Sequence, residues 1–297
     1  LKTLSSIALF LALSRIAAAQ QINTGLPFLK IGSDARTAAM GETGTALFGD
    51  HSAFTFNPAA IRFSTRHQLS IAHRQGFADV TSDQLGATLP GDLFTYGITA
   101  MTTSVSDIEV RQRPGEAEGT FAARNAALGA GISYSVTDAI AVGVTGKLLY
   151  EKIYIDEASG YALDAGLAYK ISDALSAGAA LLNIGSMSVL RSASSELPAS
   201  LRIGGAYTMD AATGIFVTGA ADMVKTLDDD GMHLHLGAEG IYDSMFMVRA
   251  GYQTGYETRS FTAGAGVRYG VIRIDYAFVP MTGSFSPTHA FSVMFFL

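Results

Sequence analysis

The residues best suited to chemistry in this chain are six histidines, His51, His67, His73, His233, His235 and His289, and they stand in no catalytic frame. A surface acylhydrolase would need Ser or Asp beside a His that a third group orients. His233 and His235 could bind a metal with Asp222 or Glu239, but a two-residue spacing on a strand is a weak ligand pattern, and histidines satisfied by hydrogen bonds are the plainer account. There is no Cys, which excludes thiolate metal sites and disulfides. Asp228-Asp229-Asp230 could hold calcium, although an exposed acidic turn explains it more simply. The expectation is a protein that is not an enzyme, with no metal and no cofactor.

Two other groups carry more information. Arg74, Lys147, Asp164, Lys170, Arg202, Glu239, Arg249, Arg268, Arg273 and Asp275 fall on the small-residue face of alternating segments. They could line a water-filled path or pair with one another and with the segment before the first strand, because buried charges need partners. Phe48, Phe54, Phe56 and Phe63 could contact a hydrophobic ligand or simply pack.

The elements that must position these residues show a regular rhythm. From 67 to 297 some fourteen segments alternate apolar with small or polar residues. Short breaks at Pro90-Gly91-Asp92, Thr137-Asp138, Ser172-Asp173, Asp210-Ala211-Ala212, Asp243-Ser244 and Gly270-Val271 alternate with longer ones near 77–81, 103–124, 153–159, 185–198, 225–230, 255–259 and 280–288. Antiparallel strands with tight turns at one end and longer loops at the other are the pattern of a transmembrane β-barrel. No segment after the first nineteen residues is long and apolar enough for a spanning helix, so a spanning structure has to be a closed sheet.

Individual strands agree. Tyr161, Leu163, Leu167 and Tyr169 share one face, while Ala162, Asp164, Gly166 and Ala168 share the other. The segments run about 9 to 13 residues, the length of tilted membrane strands rather than of ordinary sheets. Tyr134, Tyr150, Tyr169, Tyr207, Tyr242, Tyr252, Tyr269 and Phe278 fall near strand ends, where rings meet headgroups. In the last strand Phe291, Val293, Phe295 and Leu297 share a face. An even strand number puts both termini on the short-turn side, which in such barrels is periplasmic. The longest outer segment, 103–124, either extends its hairpin through Ile108-Glu109-Val110-Arg111 or forms a solvated loop.

Lys2, the apolar run Ile7 to Leu13 and Ala17-Ala18-Ala19 have the layout of a signal peptide over 1–19, cleaved before Gln20. Its removal leaves 18 basic against 26 acidic side chains. Such a balance is unsuited to nucleic acid. Residues 20–66 break the rhythm. A short helix is expected from Ala35, capped by Ser33 or Asp34, and a second from Pro58. The segment is too long for a tether and fits a hatch that packs inside a barrel over 67–297, or stoppers its periplasmic mouth.

The stretches Phe28-Leu29-Lys30-Ile31-Gly32, Ala35-Arg36-Thr37-Ala38-Ala39-Met40-Gly41 and Phe56-Asn57-Pro58-Ala59 resemble the opening of the PorV/PorQ family, outer-membrane barrels similar to the FadL long-chain fatty-acid transporters. The likeness covers essentially the mature chain, with its specific part in the N-terminal stretch. It implies a fourteen-stranded barrel with an N-terminal hatch whose motif residues are Ala35, Arg36, Met40, Gly41, Asn57, Pro58 and Ala59, the last three at the place where the hatch meets the wall. It also implies the outer membrane of a diderm bacterium of the Bacteroidota or their relatives. Members are known from type IX secretion, which would make a translocon, an attachment complex and secreted cargo the partners, besides outer-membrane lipid, while members outside that branch carry the same barrel with no settled role. Phe56 replaces the tryptophan usual before Asn-Pro-Ala, and the chain is shorter than the cargo-shuttle type. Passive uptake of a hydrophobic small molecule is the alternative; an open polar porin fits poorly with a hatch.

Overall fold

The computed structural model describes residues 25–297 apart from 33, 77–78, 112, 114, 228–230 and 284. The expected signal segment, Ser33 as a cap and the Asp228-Asp229-Asp230 turn lie outside the described residues. Sixteen strands follow one another: β1 (Gln68–Gln75), β2 (Thr81–Pro90), β3 (Phe94–Val110), β4 (Gly119–Ser135), β5 (Ile140–Ile153), β6 (Asp156–Lys170), β7 (Leu175–Met187), β8 (Val189–Leu190), β9 (Ala193–Ser194), β10 (Ser200–Ala212), β11 (Ile215–Thr226), β12 (His233–Tyr242), β13 (Phe246–Gln253), β14 (Phe261–Tyr269), β15 (Ile272–Val279) and β16 (Thr288–Phe296). Fourteen close into an antiparallel barrel, with β7 beside β10 and β16 against β1, while β8 and β9 form a small ribbon in a loop. Closure runs in unbroken register from Gln68 opposite Phe296 to Gln75 opposite His289.

The wall follows from period-two patterning. Along β6, Ala162, Asp164 and Ala168 are buried while Tyr161, Leu163, Leu167 and Tyr169 are exposed. An apolar outer surface on a sheet without edges is what lipid requires, since every backbone group is paired inside the wall. At Asp243-Ser244 both residues have positive φ, 52° and 55°, the turn whose twist suits a two-residue hairpin.

Three boundaries differ from the expected ones. β10 continues through Ala212 by a bulge between Asp210 and Ala212, so the turn falls on Thr213-Gly214, where Gly214 has φ 75°. The break expected over 153–159 shrinks to Tyr154-Ile155, because β5 and β6 pair up to Ile153 opposite Asp156 and are tied by a Lys152–Glu157 ion pair. The 103–124 segment is mostly strand: after a bulge between Val105 and Ile108, where Asp107 has φ 58°, Ile108 pairs with Phe121. The barrel is therefore lopsided. β3 and β4 have 17 residues each, against 8 or 9 in β13 to β16 and β1.

Inside lies the chain before β1. It comprises a 3-10 turn at Pro27–Lys30, helix α1 (Ala35–Ala39), and 3-10 turns at His51–Ala53 and Pro58–Phe63. Each of the last three is opened by a side-chain cap, from Asp34, Asp50 and Asn57 in turn. Short helices of small residues are marginal alone, so the caps and the surrounding wall must hold them.

Candidate functional site

Arg36, one residue into α1, reaches across the lumen to β12 and binds Glu239 with two nitrogens, at 3.0 and 2.7 Å. Glu239 also accepts from Arg249 at 2.6 Å, Arg249 pairs with Asp275 at 2.8 Å, and Asp275 with Arg273 at 2.7 Å. Arg273 then meets Asp50 at 2.6 Å and Asp50 returns to Arg36 at 3.1 Å. The result is a closed ring of alternating charge, with two members from the hatch and four from β12, β13 and β15. Each charge has two opposite neighbours, which meets the condition under which ions tolerate burial.

Two further clusters join hatch and wall. Arg202 and Asp222 pair at 2.9 Å, and Asp222 accepts from Gly44 N, Thr45 N and the Thr45 hydroxyl. Arg202 also donates to the Glu42 carbonyl and lies over the Phe56 ring at 4.7 Å, while Arg74 holds the Glu42 carboxylate at 2.8 Å. On the tall side Lys147 bridges Asp164 and Asn183, both at 2.7 Å.

The Asn57-Pro58-Ala59 turn is seated by side-chain amide and by space. Asn57 Oδ1 accepts from Ala59 N, and its Nδ2 donates to the carbonyls of Thr45 at 2.8 Å and Leu167 at 3.0 Å. A Cβ on Gly166 would stand 2.1 Å from Asn57 Oδ1, and one on Gly143 2.6 Å from Ala59 N. The inward glycines are therefore clearance for hatch backbone. The same holds opposite, where Gly251 would touch Gly41 N at 2.1 Å and Gly41 itself needs its φ of 67°.

The hatch divides the lumen. Toward the long loops a chamber of about 80 Å³ is lined by Leu29, Phe54, Phe56, Met101, Leu182 and Tyr256, among others. The β13–β14 loop folds over it: Tyr256 stacks on His233 at 4.2 Å, its hydroxyl bonds His235 at 3.0 Å, and Arg259 covers its ring at 4.5 Å. Toward the short turns lie two recesses of about 580 and 290 Å³ that share no lining residue with the chamber.

The four phenylalanines divide accordingly. Phe54 and Phe56 are buried beneath the chamber, while Phe48 stacks on Phe63 at 4.9 Å beside the larger recess. The inward charges also sort by depth. Arg74, Arg202, Glu239, Arg249 and Asp275 are buried in the networks above. Arg268 sits at the short-turn mouth on the Phe296 ring at 4.4 Å, and Lys170 lies in the open against Asp173. Asp222, opposite His235 in the β11–β12 register, gives Oδ2 to Arg202 and Thr45, and Glu239 gives both oxygens to the ring; among the described residues no three His, Asp or Glu side chains are grouped to hold a metal ion.

Burial sets the electrostatics of the hatch. It pushes the His51 imidazole down to about 4 and, with Asp275 nearby, the Asp34 carboxyl up to about 6. Burial also works against the charge of Asp50, yet Arg273 and Arg36 hold its carboxyl well below the usual range. Glu42 and Asp50 escaped the sequence reasoning, which named Asp34 only as a cap.

A closed antiparallel wall with lipid-facing apolar residues defines an outer-membrane β-barrel, here with the chain before β1 packed inside it. The profile described as Type IX secretion system protein PorV matches residues 15–227, and the chain belongs to that family. In fold it is similar to the toluene transporter TodX of Pseudomonas putida, with TM-score 0.65 and 15% identity over 92% of this chain and 98% of that one. It is also similar to the toluene transporter TbuX of Ralstonia pickettii, with TM-score 0.62 and 16% identity over 90% and 98%. The CymD monoaromatic hydrocarbon channel gives 0.65 and 13% over 90% and 98%. No curated protein matches the chain. The protein is a barrel of a Gram-negative outer membrane, surrounded by lipid.

Proposed function

We propose that this barrel acts in protein secretion of the type IX kind, in a bacterium of the Bacteroidota or a relative, by binding translocon or attachment-complex proteins and their cargo. The observation that carries this reading is the segment before β1 packed across the lumen. The hatch is tied to the wall by the six-charge ring, and the chamber of about 80 Å³ is smaller than an apolar cavity of roughly 150 Å³ that binds benzene. With the short turns facing the periplasm, the raised β3–β4 and β5–β6 hairpins stand outermost and offer partners Ile108, Phe121, Tyr154 and Ile155. Affinity purification of the tagged barrel from its own outer membrane is the test. Recovery of a secretion translocon, with loss of cargo export on deletion, is expected; normal export in the deletion strain sinks the idea.

One observation favours a second reading, the passage of hydrophobic small molecules. Phe54, Phe56, Leu29 and Met101 give the chamber an apolar floor, and the loop carrying Tyr256 is placed to open it. Toluene uptake by proteoliposomes that fails to exceed empty vesicles would dispose of this alternative.

A further inference from the structure

The smaller recess at the short-turn mouth contains a cation that the charge ring does not use. Its volume is about 290 Å³, and its walls include Phe216, Met247, Phe296, Arg268 and Arg273. Arg36, Arg249, Asp50 and Glu239 also reach it, but each is occupied within the ring. Arg268 is different. Among the described residues no carboxylate lies within ion-pair distance of it; its contacts are the Gly270 carbonyl at 3.4 Å and the Phe296 ring at 4.4 Å. Arg273 lies over the same ring at 5.5 Å, and its Nη2 has no hydrogen-bond partner although it is buried. Two guanidiniums thus flank one aromatic ring. Asp50 and Asp275 already serve Arg273, which leaves Arg268 uncompensated at that position.

We infer that this recess binds a small anionic amphiphile entering from the periplasm, a single carboxylate or phosphate head on an apolar body. The head pairs with Arg268 and is within the field of Arg273, and the body lies against Phe216, Met247 and Phe296. A planar guanidinium presents parallel donors to such an oxyanion. The apolar walls supply the remaining affinity, in the usual division of labour between a few polar groups and a hydrophobic lining. The site does not depend on the secretion reading, since it faces the periplasm below the hatch whatever partner binds outside.

The absence of native Cys allows a direct test on the full chain in detergent micelles. Met247→Cys places one thiol in the recess, and its labelling by methyl methanethiosulfonate is followed with hexanoate, hexyl phosphate or hexanol present. Protection of fivefold or more by hexanoate, by hexyl phosphate or by both is expected, and shows whether a carboxylate or a phosphate source is preferred. Added Arg268→Gln should abolish the protection and Arg268→Lys should retain part of it, with barrel folding checked by heat-modifiable electrophoretic mobility. Equal protection by hexanol, protection that survives Arg268→Gln, or no protection by either anion overturns the proposal.

Discussion

Arg36 and Glu239 are 203 residues apart in the chain and meet through two parallel hydrogen bonds inside the barrel. It is one of the two contacts by which the hatch enters the charge ring, the other being Asp50 with Arg273, and Arg36 bridges Glu239 and Asp50. Removing it leaves two buried carboxylates short of a partner. Arg36→Ala is therefore expected to cost about 3–5 kcal/mol, the usual effect of breaking a buried pair on one side. Urea unfolding and protease sensitivity of the hatch measure it. Adding Glu239→Gln to that variant should recover part of the loss; a single variant as stable as the wild type would contradict the ring's structural role.

The Asn57 seat makes a finer prediction. Asn57→Ala removes a cap and the side-chain donor to the Thr45 and Leu167 carbonyls, for a loss of about 2–3 kcal/mol. Gly166→Ala should loosen the hatch as well, because its new methyl group would occupy the place of Asn57 Oδ1. Hydrogen exchange over 40–63 reads both, and unchanged exchange in Gly166→Ala would show that the wall yields instead.

His51 makes hatch docking sensitive to pH. Its imidazole is buried with Nδ1 2.8 Å from the Thr88 hydroxyl and Nε2 without a partner, and burial lowers its value from 6.5 to about 4. Between those two pH values the unfolded chain binds more protons than the folded one, so stability falls as pH drops from 6.5 toward 4. The lost contribution is about 3 kcal/mol at most. Melting curves of wild type and His51→Gln should differ in pH slope across that window; parallel curves would remove His51 from the account. Asp34 acts oppositely over its own range from 3.8 to about 6, where protonation favours the folded state, which is why the comparison has to be made between variants.

Tyr256 holds the outer loop over the chamber. Tyr256→Ala should raise the labelling rate of a thiol introduced by Leu182→Cys, buried in the chamber wall, by roughly tenfold if one stack and one hydrogen bond of about 1.4 kcal/mol together are lost. An unchanged rate would mean that other loops close the chamber.

The wall was legible in the sequence because membrane strands obey a local rule. Tyr161 and Ala162 have opposite character wherever β6 is placed, and a two-residue turn such as Asp243-Ser244 announces itself by its neighbours. Boundaries set by cross-strand contacts were not legible: Lys152 finds Glu157 only when β5 and β6 lie in register, and the hairpin then continues through the break expected at 153–159.

Sequence alone determined the period-two faces, the number of barrel strands, the short helix from Ala35 and the turn opened by Pro58, and the presence of charges on the inner face. Those properties depend on side-chain alternation and local hydrogen bonding. Tertiary structure decided which charges neutralise one another. Arg36, Asp50 and Glu239 come from distant segments with no shared pattern, and their pairing exists only because a closed barrel excludes water around them and leaves each charge no alternative partner.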